Sequence, residues 1–318
     1  MAFNPSEFLS RQAEDARQKI GEKEAMVGLS GGVDSSVSAL IVHKAIGRHL
    51  HAVFVDTGLM RENEAENVKK TFDSLGMKIE FIDASKEFFL KLKKITEPEK
   101  KRKVIGELFI RTFEKYAKKR KIKVLVQGTI APDWIESGGA GRDKIKSHHN
   151  VGGLPKKMAL ELYEPLRDCY KHEVRLLAKE LKLPPAISER QPFPGPGLAV
   201  RIVGEITPEK AEIVRKCCAI VEDEIESSVA LGKIDKPWQY FAALLDSKTV
   251  GVRGDERAYQ YTVVVRAVRS LDGMTANFSH LPPKLLERIS SRITNEVMDV
   301  GRVLYDITNK PPATVEME

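Results

Sequence analysis

Cysteine is nearly absent from these 318 residues, with Cys169, Cys217 and Cys218 the only three. The number is odd, and adjacent cysteines seldom pair with each other, so a disulfide-built secreted fold is excluded and a reducing cytoplasm is the expected setting. No apolar run approaches ~20 residues, so no membrane span is expected. The opening stretch MAFNPSEFLSRQAEDARQKI has no signal-peptide core and reads as an amphipathic helix. Internal repeats and low-complexity tracts are also lacking. What remains, 42% hydrophobic and 31% charged residues, is the composition of a folded globular protein, and the length predicts two domains.

The net charge of +7 is unevenly placed. Residues 1 to 190 hold 36 Lys and Arg against 27 Asp and Glu, whereas residues 191 to 318 hold 16 against 18. Residues 91 to 123 alone carry 14 basic and 4 acidic groups. Such a run can mark a nucleic-acid surface. No base-stacking aromatics are interleaved with its lysines, so a solvated face on one helix, roughly Glu99 to Lys119, is the better reading, and no nucleic-acid partner is expected.

The organising stretch is AMVGLSGGVDSS, Ala25 to Ser36. A short apolar strand enters a glycine turn and leaves as a helix whose Val37, Leu40, Ile41 and Ala45 recur at helical steps. Gly31 and Gly32 can turn successive amides inward as an anion nest, and the helix adds its free amides and positive dipole end. Ser30, Ser35 and Ser36 can donate to phosphate oxygens. Asp34 would repel a polyphosphate unless a divalent cation lay between them, which makes it a candidate Mg²⁺ ligand. No lysine follows as in a Walker A loop, and the glycines are not those of GxGxxG. Holding a leaving pyrophosphate is therefore a more natural use than transferring the terminal phosphoryl group.

Strands at His51 to Asp56, Ile79 to Ile82 and Val124 to Thr129 alternate with helices, which predicts an α/β fold with a doubly wound parallel sheet. Its strand ends (Ser30, Asp56-Thr57-Gly58, Gln127-Gly128-Thr129) would gather at one edge. Residues 130 to 160 form a long polar connection containing Asp133, Glu136, Lys144, Lys146, His148 and His149. It reads as a lid whose Lys146 closes on phosphates, or as a solvated loop. A zinc site at the His pair is the weaker alternative for want of ligand spacing. Pro184, Pro185, Pro192, Pro194 and Pro196 with Gly195 and Gly197 break regular structure, so residues 191 to 200 are expected to be a linker between a first domain, 1 to 190, and a small α+β domain, 201 to 318.

SGGVDSS, VFVDTGLMR, VQGTIAPDWIES, KSHHNVGGLP, RQPFPGPGLAVR, TVGVRGDERAY and DITNKPPATVEME together resemble the GMP synthase family, within the N-type ATP pyrophosphatases. The resemblance implies an adenine nucleotide alpha hydrolase-like sheet followed by a dimerisation domain. It implies a ligase of de novo guanine nucleotide synthesis that joins XMP, ATP-Mg²⁺ and ammonia into GMP, AMP and pyrophosphate. By the family pattern Ser30, Gly31, Gly32, Val33, Asp34, Ser35, Ser36, Val55 and Gly128 take ATP, with Asp34 and Lys146 catalytic. Arg61, Asp168, Arg253, Lys310 and Glu316 take XMP.

A homodimer through the second domain is also implied. The chain opens close to the cradle strand, so ammonia is expected from solution or from a separate glutamine amidotransferase subunit. Met317 stands where the family commonly has tryptophan. The competing reading is an ATP-dependent tRNA-modifying or RNA-binding protein that uses the same cradle with the basic run.

Overall fold

The computed structural model describes residues 3–131, 160–271 and 273–318, and the chain divides into two compact units. The first comprises residues 1–57, 63–84 and 105–190, the second residues 58–62, 85–104 and 191–318. Each is described by itself.

Unit 1 is built on five strands: β1 (Ala25–Leu29), β2 (Leu50–Asp56), β3 (Ile79–Asp83), β4 (Val124–Val126) and β5 (Glu161–Tyr163). All pair in parallel in the order β3-β2-β1-β4-β5. β1, β2 and β4 are near-continuous apolar runs because both faces of a parallel sheet are covered. Edge strand β3 is only half-buried. Helix α1 (Pro5–Ile20) starts on an Asn4 cap that accepts from the Glu7 amide at 3.3 Å, with proline at its first turn. It packs with α2 (Val33–Ile46), whose residues 36–42 are buried on every side. Further along come α3 (Glu64–Ser74), α4 (Ser85–Leu92), which belongs to unit 2, α5 (Pro98–Arg120), which belongs to unit 2 up to Val104 and to unit 1 from Ile105, and α6 (Lys171–Glu180). β4 ends at Val126, three residues before the expected end, where its pairing with both β1 and β5 stops.

On α5 the buried apolar side chains are Ile105, Leu108, Tyr116 and Ala117, while Val104, Phe109 and Phe113 are only half-buried. The basic face is not wholly solvated either, since Lys101 is fully buried.

Residues 191 to 200, expected to be a linker, fall within unit 2. A short helix α7 (Pro185–Ser188) begins on two prolines, which suit a helix start. The stretch Gly197–Arg201 is a buried 3₁₀ turn inside unit 2. Gly197 has φ +66, and a Cβ there would lie 2.3 Å from the Leu59 carbonyl, so glycine is what lets residues 58–62 join this unit. Prolines end helices; they do not keep a segment out of a core.

The rest of unit 2 is α8 (Pro208–Ala230), β6 (Gln239–Arg253), β7 (Glu256–Arg269), β8 (Asn277–Phe278), α9 (Pro283–Glu296) and β9 (Val300–Tyr305). β6 and β7 form one long antiparallel hairpin whose turn residues Gly254 and Asp255 both have positive φ, as a tight primed turn requires. Pairing shifts register between Leu244 and Lys248, and β9 joins β7 in parallel. This smaller, mostly antiparallel sheet carries α8 on β6 and α9 on β9.

Candidate active site

The order β3-β2-β1-β4-β5 reverses direction between β1 and β4, and an open parallel sheet receives ligands in the crevice at such a point. The loop Ser30-Gly31-Gly32 leaves β1 there. Gly31 has φ +74, and a Cβ on it would lie 2.1 Å from Glu64 Oε1. Gly32 caps α2 with no side-chain cap, so the first amides of that helix are left for a ligand. Gly128, just past β4, packs on the same turn: a Cβ would lie 2.9 Å from the Asp34 carbonyl carbon and 2.9 Å from the Ser35 amide.

The hydroxyls are already organised. Ser35 Oγ donates to the Gly32 carbonyl at 3.1 Å and lies 3.1 Å from Ser30 Oγ, which accepts from the Gly32 amide at 3.3 Å. Ser36 is buried and its hydroxyl donates to the Gly32 carbonyl at 2.8 Å. Val33 and Val55 are buried, and β1–β2 pairing ends at Leu29 and Phe54, which leaves Val55 one residue past β1 at the carboxyl edge. So Ser30, Gly31, Gly32, Val33, Asp34, Ser35, Ser36 and Gly128 form one constellation in unit 1. Lys146 and the remaining lid residues lie outside the described residues.

Two groups that sequence reasoning missed complete it. Lys171 Nζ is 2.5 Å from Asp34 Oδ2. A lysine at the first position of a helix opposes the dipole, and that misfit was the available signal. Glu64, 3% exposed, receives a bidentate pair from Arg190 at 2.7 and 2.6 Å. The other carboxylate oxygen of the first pair, Asp34 Oδ1, is buried and accepts no hydrogen bond among the described residues. A buried acceptor without a donor suits a cation, and Mg²⁺ takes one or two carboxylates together with substrate phosphates. Among the described residues no group of three or more His, Cys, Asp or Glu could hold a metal unaided.

The XMP candidates separate. Asp168 is exposed on a turn of unit 1. The others belong to unit 2. Arg61 is buried, donates to the Gln191 and Pro192 carbonyls at 3.1 and 3.3 Å, and lies 4.4 Å over the Phe193 ring. Arg201, fully buried, lies over the same ring at 5.1 Å and holds Glu316 at 3.0 and 3.1 Å. Gln239 also donates to Glu316 at 2.6 Å. The structure therefore brings Arg61 and Arg201, the cation that holds Glu316, over one aromatic ring. Lys310 Nζ donates to the Gly273 carbonyl at 2.7 Å. Arg253 donates instead to the Met298 and Thr294 carbonyls. Arg201 was legible as a lone charge inside the apolar run GLAVRIV.

The three cysteines are free and buried; burial pushes the Cys169 thiol up to about 12, so it is no nucleophile. Among the described residues no helix is long and apolar enough to cross a membrane.

Residues 7–132 match the family model described as NAD synthase, and residues 226–317 the one described as GMP synthase C terminal domain. Over 312 residues the chain is 59% identical to a subunit of the glutamine-hydrolyzing GMP synthase of Thermococcus kodakarensis, covering 98% of this chain and 99% of that one. The chain belongs to the GMP synthase family. The corresponding GMP synthase subunit of Methanocaldococcus jannaschii is 57% identical over 318 residues, 99% of this chain and all of that one. GMP synthase of Thermotoga petrophila is 55% identical over 95% of this chain but only 60% of its own length. Members of this GMP synthase family are ligases, and ATP is the co-substrate of its pyrophosphatase domain.

Proposed function

We propose that this GMP synthase chain adenylates the 2-oxygen of XMP with ATP and then lets ammonia displace AMP, giving GMP, AMP and pyrophosphate. The observation that carries this reading is the cradle at β1, where a turn of glycine amides, serine hydroxyls and Asp34 meet at the first turn of α2, an arrangement suited to gripping two phosphates as a leaving group with the α-phosphorus open to attack. The xanthine 2-oxo group is amide-like and its oxygen leaves poorly. Bonding it to the α-phosphorus, with the bond to pyrophosphate breaking, makes it a phosphate-ester leaving group. Ammonia then forms the bond to C2, and the old oxygen departs within AMP.

Lys171 supplies the cation that the loop lacks. In the ligand-free chain it neutralises Asp34; as the nucleotide arrives it turns to the pyrophosphate oxygens and frees the carboxylate. Asp34 would hold Mg²⁺, which would supply charge screening there. Arg61, Lys310 and Glu316 bind XMP, with Asp168 and Arg253 as further contacts, and Lys146 closes the polyphosphate clamp. The relatives that match this chain end to end are themselves named as one subunit of a glutamine-hydrolyzing synthase, which supports a separate glutamine amidotransferase subunit as the ammonia source. A homodimer in the cytoplasm completes the reading.

The test is one assay of the purified chain with ATP, MgCl₂, ammonium chloride and XMP carrying ¹⁸O at position 2. AMP, pyrophosphate and GMP in equal amounts, with the label in AMP, are expected. ADP and phosphate, or label left in the base, overturn the mechanism. ATP cleavage that depends on RNA and ignores XMP moves the function to an RNA-modifying enzyme.

A further inference from the structure

Three of the largest fully buried side chains in the described structure are cations: Arg201, Arg266 and Lys101. All three are bonded to one short segment, residues 306–318. Arg266 donates to the carbonyls of Thr308, Thr314 and Val315 at 3.0, 2.8 and 2.8 Å and to Asp306 at 2.6 Å. Arg201 holds Glu316. Lys101, on the first turn of α5, donates to the Ile202 carbonyl at 2.8 Å and to the carboxylate of Glu318. The Glu318 side chain is 6% exposed and also accepts from the Gly204 amide at 3.0 Å, while its own amide donates to the Val200 carbonyl at 3.1 Å. Arg102 donates to the Glu318 main-chain oxygen at 2.6 Å.

Burying a charge is costly, and a buried ion pair adds little to stability over apolar residues of the same size. What such a pair can supply is register. This segment needs it. Past Tyr305 its regular pairing is one antiparallel bridge between Lys310 and Ala276, and none of its apolar side chains is buried, so hydrophobic packing does not fix its last residues. Its last residues, Glu316-Met317-Glu318, repeat the same carboxylate two residues apart. An extended chain that slips by two residues presents the same face, so Glu318 could take the place of Glu316 on Arg201. The backbone bridge of Lys310 to Ala276 and the bonds of Arg266 hold the segment as far as Val315, and beyond them the buried Lys101, set to receive Glu318, separates the two registers.

We propose that Lys101 is a positioning residue for the purine nucleotide: by fixing Glu318 it sets the register of the last residues, 316–318, and so places Glu316. The proposal rests on the reading of Glu316 as an XMP contact. Burial lowers the affinity of Lys101 for its proton, and the Glu318 carboxylate opposes that.

The experiment uses Lys101→Met, and Glu318→Gln as the milder variant in case the first fails to fold. Steady-state kinetics should show the KM for XMP raised by about tenfold or more with the KM for ATP unchanged and kcat largely kept at saturating XMP. Hydrogen exchange should quicken in the peptide covering 306–318 and stay at the wild-type rate in β1 and α2. Equal rises in both KM values mean general loosening and overturn the proposal, as does a wild-type KM for XMP in Glu318→Gln. If the wild-type chain itself shows no XMP dependence while the variants still free the 306–318 peptide, the fault lies with the XMP reading, and the positioning role falls with it.

Discussion

Asp34 and Lys171 show how one contact can matter to chemistry and hardly at all to the fold. Their side chains are 27% and 47% exposed, so the pair contributes at most ~1 kcal/mol to stability once solvent screening is counted. Aimed at a pyrophosphate leaving group, the same ammonium is worth far more, because a preorganised charge at developing negative charge typically supplies ~10²–10³ in rate. Lys171→Met should therefore cut XMP-dependent pyrophosphate release by about that factor while the melting temperature stays within a few degrees of wild type. A loss of rate matched by a large fall in melting temperature would make Lys171 a structural residue. Gly128 gives the opposite case. Its hypothetical Cβ meets backbone, not the tip of a flexible side chain, so Gly128→Ala must push the first turn of α2 away from β4. Overpacking of this kind costs ~1–3 kcal/mol, and urea melts should show it together with a raised KM for ATP.

At the scale of elements, the amino ends of β1, β2 and β3 gather a cluster remote in sequence from the cradle. Glu24 lies 3.0 Å from His49 and 2.7 Å from His51, whose other ring nitrogen is 3.0 Å from Glu80. Tyr116 and Arg120 of α5 also donate to Glu80. The hydrogen bond from His49 holds the Glu24 carboxyl below its usual range. Burial works to raise Glu80, yet its bonds from Tyr116, His51 and Arg120 outweigh that and lower it too. A carboxyl whose folded pKa is depressed stabilises the fold above its unfolded value, ~4.3, and that contribution drains away as pH falls through the folded value. Thermal melts from pH 7 down to pH 3 should show wild-type stability falling below pH ~4.5 more steeply than that of Glu80→Gln. Parallel acid profiles would show that the cluster does not stabilise the fold.

The strands that carry this cluster were plain in the sequence because buried parallel strands are continuous apolar runs, and the cradle was plain because its glycines and serines are contiguous. Lys171 is 137 residues from Asp34, and Arg190 is 126 from Glu64, so no local pattern joins them.

For the molecule as a whole, the decisive distance lies along β6. Gln239 opens this strand and touches Glu316; Arg253 closes it fourteen residues later. At ~3.3 Å per residue that is on the order of 40 Å even after the irregularity near Leu244, far more than one nucleotide spans. If Arg253 and Glu316 both serve XMP, they serve it from different chains. A twofold dimer in which each site borrows Arg253 from its neighbour has a testable consequence. Arg253→Ala and Glu316→Ala should each be inactive at low XMP, yet a mixed dimer holds one intact site, with Arg253 from one chain and Glu316 from the other. Denaturing and refolding the two variants together at equal amounts gives half mixed dimers, so about a quarter of wild-type turnover should return. Turnover that stays at the level of the separate variants would confine the site to one chain and remove Arg253 from it.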